Sequence, residues 1–210
     1  SRCISRGPLS AARYRIGATG NASYGYFAGG INYPSYYSTV DRLDYSSDST
    51  AAVVKGPLTI ARNHIYGTGT QSYGYGFGGQ ADAPTKTVST VERIDYTNDT
   101  PTMVAKGPLT QKRFSVGATG NASYAWMAGG RKYDTQGANY STVDRLDYSS
   151  DTSTTSPKGP LAAVRFGVSA TGNTSYGYFA GGQPSMSSLT TIDRIDYSND
   201  TPTATAKGFL

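Results

Sequence analysis

Apolar and polar residues alternate over short runs along the whole chain, and no segment keeps a helical period. The alternation predicts a unit of four short strands bounded by Gly, Asn, Asp and Ser. In the first copy, strand a follows Arg13 over 14–18, and Thr19-Gly20-Asn21 makes a tight turn, where Gly and Asn tolerate positive φ. Strand b covers 23–28 and ends at Gly29-Gly30, and strand c covers 38–45. Ser46-Ser47-Asp48 then turns the chain into strand d, near 50–55. Gly56-Pro57-Leu58 leads into the next unit; proline cannot donate to a sheet ladder, so it belongs at that corner.

The unit recurs. The stretch 17–30 has counterparts at 67–79, 117–130 and 168–182. Gly-Pro-Leu begins at Gly7, Gly56, Gly107 and Gly159, with a variant Gly-Phe-Leu at Gly208, in steps of 49, 51, 52 and 49 residues. Arg13, Arg62, Arg113 and Arg165 each stand 16 residues before a Gly-Gly pair. A fixed period near 50 points to a propeller or another repeat array. The units are 10–58, 59–109, 110–161 and 162–210 of a single repeat domain, 1–210. Residues 1–9 read as a d-strand-like segment, from a preceding blade or from ring closure. Either 1–9 and 201–210 compete for one edge, or the chain is a window on a longer array. It starts at Ser1, with no Met and no signal peptide, as a processed product or a fragment would.

An Arg, then an aromatic-aliphatic strand closing on Gly-Gly, then a strand ending in Asp-Tyr resembles the kelch repeat of β-propellers, over the whole chain. The resemblance implies an all-β, kelch-like β-propeller built from four-stranded antiparallel blades. The chain departs from that pattern in strand d, where Thr, Ala or Val replaces the repeat's Trp. The run Tyr-Gly-Tyr-Phe-Ala before Gly-Gly is also richer in small residues than usual. Together with Asp-Tyr-Ser-Asn-Asp-Thr it looks like kelch-like repeat proteins of marine tailed phages and environmental bacteria, which implies a virion or extracellular surface.

Composition fits a β-rich fold. Apolar residues are only 37%, but 26 Gly and 18 Tyr supply turns and strand faces, and charged residues are 16%, unlike a disordered chain. The net charge of +5 is dispersed, because most Arg recurs beside an acid, so nucleic-acid binding is not expected. No apolar run is long enough to span a bilayer, so no membrane insertion is expected. One cysteine, Cys3, rules out an internal disulfide.

Strand c carries an acid-Arg pair in every unit: Asp41-Arg42, Glu92-Arg93, Asp144-Arg145 and Asp193-Arg194. A feature present in every copy serves the repeat. Arg13, Arg62, Arg113, Arg165, Arg42, Arg93, Arg145 and Arg194, with Asp44, Asp95, Asp147 and Asp196, are therefore read as structural locks, guanidinium fork on carboxylate. The other reading is a ring of acids around a channel, holding a cation or a sugar. Asp48, Asp99, Asp151 and Asp200 read as turn residues, since calcium would need about six to eight oxygens and no glycine-bearing calcium loop is present.

Catalytic side chains are scarce. With one His, His64, and one Cys, the chain lacks a His/Cys zinc set. It also lacks the Cys–Tyr crosslink and two His of the copper-radical oxidases built on kelch-like propellers. His64 stands where other copies have Arg15, Ser115 or Gly167 and reads as a tolerated substitution. Five of the six Asn-X-Ser/Thr sites (Asn21, Asn98, Asn121, Asn139, Asn173, Asn199) fall in recurring turns.

The informative residues break the repeat. The b–c loops 31–37, 80–88, 131–140 and 183–189 differ in length and content, as do the d–a connections after each Gly-Pro-Leu. Both emerge on one face of an up-and-down blade, where variable loops on a rigid scaffold are suited to binding. The candidate binding residues are Tyr33, Tyr36, Tyr37, Asp82, Lys86, Arg131, Lys132, Tyr133, Tyr140 and Met186, with tyrosines suited to sugars or protein surfaces. The expected function is a non-enzymatic module that binds a protein or glycan, without cofactor or metal, as a homo-oligomer or part of a larger chain. The alternatives are a carbohydrate-active enzyme with a carboxylate site in a central channel and a purely architectural repeat.

Overall fold

The computed structural model describes residues 6–82, 86–133 and 137–210. They form four antiparallel four-stranded sheets, each in the spatial order a, b, c, d. The first sheet is Gly17–Gly20, Tyr24–Ala28, Val40–Asp44 and Val53–Lys55. The second is Tyr66–Gly69, Tyr73–Phe77, Val91–Asp95 and Val104–Lys106. The third is Gly117–Gly120, Tyr124–Ala128, Val143–Asp147 and Ser156–Lys158. The fourth is Ser169–Gly172, Tyr176–Ala180, Thr191–Asp196 and Thr205–Phe209. Single 3-10 turns at Tyr45–Ser47 and Tyr148–Ser150 are the helical segments among the described residues.

Side chains close the turns. Asn21 Oδ1 accepts the backbone N–H groups of Ser23 and Tyr24, both at 2.9 Å, and Asn121 and Asn173 repeat this. Strand a begins at Gly17 rather than Tyr14. Arg15 takes a left-handed φ of 58°, which no strand residue can hold, so Tyr14 pairs with Ile31 instead.

The sheets stack in chain order, strand a of each against strand a of the next. Three apolar clusters fill the spaces between consecutive sheets. An aromatic pair spans each space: Tyr26 on Tyr96 (4.8 Å), Tyr75 on Tyr148 (4.9 Å) and Trp126 on Tyr197 (3.8 Å between ring centres). Two glycines show why small residues recur. A Cβ on Gly29 would lie 2.3 Å from the Arg62 carbonyl oxygen, and one on Gly56 would lie 1.7 Å from that of Pro101. Both are points where one unit's backbone crosses its neighbour's.

Two sets of ion pairs fix the stack. Within each sheet, the Arg that precedes strand a reaches the first acid of strand c: Arg13 to Asp41 (2.9 Å), Arg62 to Glu92 (2.5 Å), Arg113 to Asp144 (3.0 Å) and Arg165 to Asp193 (2.6 Å). These side chains are fully buried, and the acids also cap the incoming connection, as when Thr110 N and Oγ1 donate to Asp144. Between sheets, Arg42 and Lys55 of the first reach Asp99 of the second, at 2.8 and 3.0 Å. Arg93 and Lys106 reach Asp151 of the third, and Arg145 and Lys158 reach Asp200 of the fourth. The ring on the preceding strand b joins each site: Tyr26 Oη, Tyr75 Oη and Trp126 Nε1 donate to the same three aspartates. Burial works against the Asp99 carboxylate, but Lys55, Tyr26 and Arg42 outweigh it and hold it below the usual range.

Asp44, Asp95, Asp147 and Asp196 sit elsewhere. Each bends back onto its own turn, as Asp44 Oδ1 accepts Ser46 N (2.9 Å) and Ser46 Oγ (2.6 Å). Those hydrogen bonds hold these carboxyls below their ordinary pKa. Arg194 lies over the Tyr176 ring at 4.3 Å.

Candidate ligand-binding face

Antiparallel order puts the b–c loops and the d–a connections at one end of every sheet. There the two are stitched together. Tyr14 pairs with Ile31, Arg62–Asn63 with Gln80–Ala81, Phe114 with Arg131, and Phe166 with Gln183. The first loop adds its own two-residue pairing, Ile31–Asn32 with Ser35–Tyr36.

At this end, four residues that the repeat aligns share a backbone conformation that the sequence did not disclose. Arg15, His64, Ser115 and Gly167 occupy equivalent stations, and all four have left-handed φ, 58°, 50°, 55° and 68°. They are linked across sheets: His64 N donates to Arg15 O (2.8 Å) and Gly167 N to Ser115 O (2.9 Å). Left-handed backbone is costly for a residue with a Cβ and persists where the surrounding structure holds it. Here the scaffold repeats while the side chain changes from Arg to His to Ser to nothing.

His64 packs beside Phe114 (5.2 Å between ring centres) and pairs its Nδ1 with Asn63 Oδ1 (2.8 Å). Burial, and then the Arg15 charge, push its pKa down to about 4. An unfolded imidazole takes its proton near pH 6.5, so between 6.5 and 4 the unfolded chain binds more protons than the folded one. Stability conferred by neutral His64 is present above pH 6.5, falls as pH is lowered to 4, and then levels off. We expect a loss of about 2 kcal/mol across that window, allowing for partial exposure. Urea midpoints at pH 7 and pH 4.5 should show it, and His64→Gln should flatten that part of the slope.

The ten sequence-selected residues divide into groups. Tyr33, at 81% exposed, and Tyr133, at 52%, present open rings, and Met186 is fully exposed. Tyr36 is half-buried; burial, and then the Asp82 charge, raise its pKa, which places Asp82, Arg15, Tyr33 and Tyr14 within electrostatic reach of one phenol. Arg15 also stacks over Tyr14 at 5.3 Å. The exposed Tyr14 and Tyr33, the half-buried Tyr36, and Arg15 and Asp82 bring rings and charges of both signs to this end. Tyr37 and Tyr140 serve the frame instead. Each donates its N–H to the second glycine of its pair, and its carbonyl accepts from Arg62 N and Arg165 N respectively, in the position held by Val88 in the second unit.

Arg131 is half-buried against Phe166 at 5.1 Å, and Lys132 N donates to Ala138 O. Tyr133 N donates to Thr87 Oγ1 (3.0 Å), tying the third loop to the second, and Asn139 Nδ2 donates to Pro184 O (2.5 Å), tying it to the fourth. Lys86 is exposed, with φ 49°. The sequence selected Tyr33, Tyr36 and Asp82 because they lie in variable loops. It passed over Tyr14 and Arg15 because they sit beside a repeated arginine and look like strand.

Open grooves of about 200 Å3 lie at the opposite end, beside the c–d turns. Equivalent ones are lined by Arg93, Asp95 and Asn98, by Arg145, Asp147 and Ser150, and by Arg194, Asp196 and Asn199. Their recurrence ties them to the repeat frame. In comparisons with known proteins, no family model and no curated sequence matches the chain.

Proposed function

We propose that the chain is a kelch-like propeller array that acts as a non-enzymatic interaction module. It binds a glycan or a protein through the end of the sheets that gathers the b–c loops and d–a connections, at a virion or cell surface. The carrying observation is the row of equivalent left-handed stations with four unlike side chains, Arg15, His64, Ser115 and Gly167, at the same end as the exposed rings of Tyr14 and Tyr33 and the half-buried Tyr36. A frame that repeats its locks residue for residue, yet varies these positions, supports a recognition surface. The in-order stacking of four-stranded sheets by their first strands supports the propeller reading.

Tyrosine faces next to an arginine and an aspartate match the needs of a sugar ring, apolar face against ring and hydroxyls on charge; this favours a glycan over a protein. The recurring acids are engaged in buried arginine pairs, inter-sheet locks or turns, which supports a reading without a catalytic carboxylate pair.

Binding of the 210-residue chain to a printed glycan array tests this. We expect selective hits that fall at least tenfold in the Tyr33→Ala/Tyr36→Ala/Arg15→Ala variant, with an unchanged far-UV spectrum. Tyr37 and Tyr140 are left out because their contacts with the frame are backbone hydrogen bonds, which an alanine would keep. Hits that persist unchanged would overturn the site. An array without hits would overturn the glycan and leave a protein ligand or an architectural role.

A further inference from the structure

We propose that the fourth sheet of one chain docks head to tail on the first sheet of a second copy, remaking the interface that the molecule already contains three times. Each internal interface joins a forward face to a backward face. The forward face presents a ring from strand b, an aliphatic residue at the start of strand c, and the leucine after strand d. In the first three sheets these are buried: Tyr26, Val40 and Leu58, and their counterparts. In the fourth sheet the same positions are Tyr178 and Ile192, both half-buried, and Leu210, 75% exposed.

The backward face shows the complementary lack. Ile94, Leu146 and Ile195 are buried against the preceding sheet, whereas Leu43 of the first sheet is half-exposed. Tyr96, Tyr148 and Tyr197 each carry a stacked ring, whereas their counterpart Tyr45 is 51% exposed. Phe27 is half-exposed where Met127 and Phe179 are fully buried. Among the described residues, no apolar cluster joins the fourth sheet to the first.

Charge is matched in the same way. An Arg and a Lys from each forward face hold one aspartate on the next sheet. Arg194 and Lys207 of the fourth sheet hold no carboxylate among the described residues, and the first sheet offers Asp48 at the receiving position. In the docked pair, Tyr178 stacks on the partner copy's Tyr45, and Arg194 and Lys207 reach its Asp48. The occupant is therefore another forward face of this sequence, which only a second copy supplies to the 210-residue chain.

One segment must yield. Arg6 lies 3.3 Å from Asp48, and Gly7 N and Pro8 O bond Asp48 O and Ala52 N, as Gly56 and Pro57 do on the second sheet. Arg6 and Asp48 are 49% and 38% exposed, unlike the covered internal pairs, so this ion pair adds little to the strip's hold, and the strip exchanges for the partner's Lys207–Leu210. A head-to-tail contact closes into a ring when its rotation allows.

Light scattering on the 210-residue chain tests this independently of any ligand. We expect twice the chain mass. Ile192→Asp and Leu43→Asp each damage one face and should each give a folded monomer, judged by far-UV spectrum. Mixing the two variants should restore a dimer, because each retains the face the other has lost. Deleting residues 1–9 should lower the dissociation constant. A wild-type chain that stays monomeric at high concentration would overturn the proposal. So would a variant that dimerises by itself, or a mixture that does not associate.

Discussion

Arg113→Ala costs about 3–5 kcal/mol of folding stability, because it strands a carboxylate with no access to water. The Arg113 and Asp144 side chains are fully buried, 3.0 Å apart, and the guanidinium also donates to the carbonyls of Thr142 and Met127. Removal of the arginine leaves those acceptors without a donor and Asp144 without a countercharge. Replacing both members with apolar residues, Arg113→Met/Asp144→Leu, should recover part of the loss, since an apolar pair avoids the desolvation cost. Recovery is incomplete because Asp144 also receives Thr110 N at 3.0 Å and Thr110 Oγ1 at 2.7 Å, and leucine accepts neither. Urea unfolding of both variants measures the two effects; a single variant within about 1 kcal/mol of wild type would show that the buried pair is not needed.

Trp126→Ala has a comparable effect, about 3–5 kcal/mol, by a different route. The indole is fully buried, lies flat on Tyr197 with an interplanar angle of 7°, and donates to Asp200 at 2.9 Å. Its loss opens a cavity in the cluster that holds the fourth sheet to the third. Because the one apolar cluster of the fourth sheet among the described residues joins it to the third, amide exchange over 169–209 should rise before that of the second sheet. Tyr178→Ala, at the equivalent station of the fourth sheet, should cost under about 1 kcal/mol at low protein concentration, because that half-buried ring belongs to no apolar cluster among the described residues. Equal losses for the two substitutions would contradict the open stack.

The leading arginines show how much was legible in the chain. Their fixed distance from the Gly-Gly pairs marked them as part of the frame, and each is now seen to clamp strand c of its own sheet. The partners of the strand-c arginines were not legible. Arg42 has Asp44 two residues away, yet it binds Asp99, 57 residues on. Proximity in sequence misleads here, since residues two apart in a strand lie side by side on one face, while Asp44 is bent into its own turn by Ser46. Likewise, the repeat aligned Arg15, His64 and Ser115 with Gly167, but Arg, His and Ser are poor markers of left-handed backbone, so nothing in residue type announced the conformation they share.

The sequence by itself determined the repeat, the four strands of each unit and the end where the variable loops gather. These follow from local period, from turn residues and from the direction reversal that each turn imposes. Tertiary structure alone decided which face of each sheet meets its neighbour, which aspartates lock the sheets together, and that apolar residues buried between sheets are more exposed at the two end faces. Those outcomes rest on contacts between residues about 50 or more positions apart, whose energies depend on burial and distance rather than on neighbouring residue types.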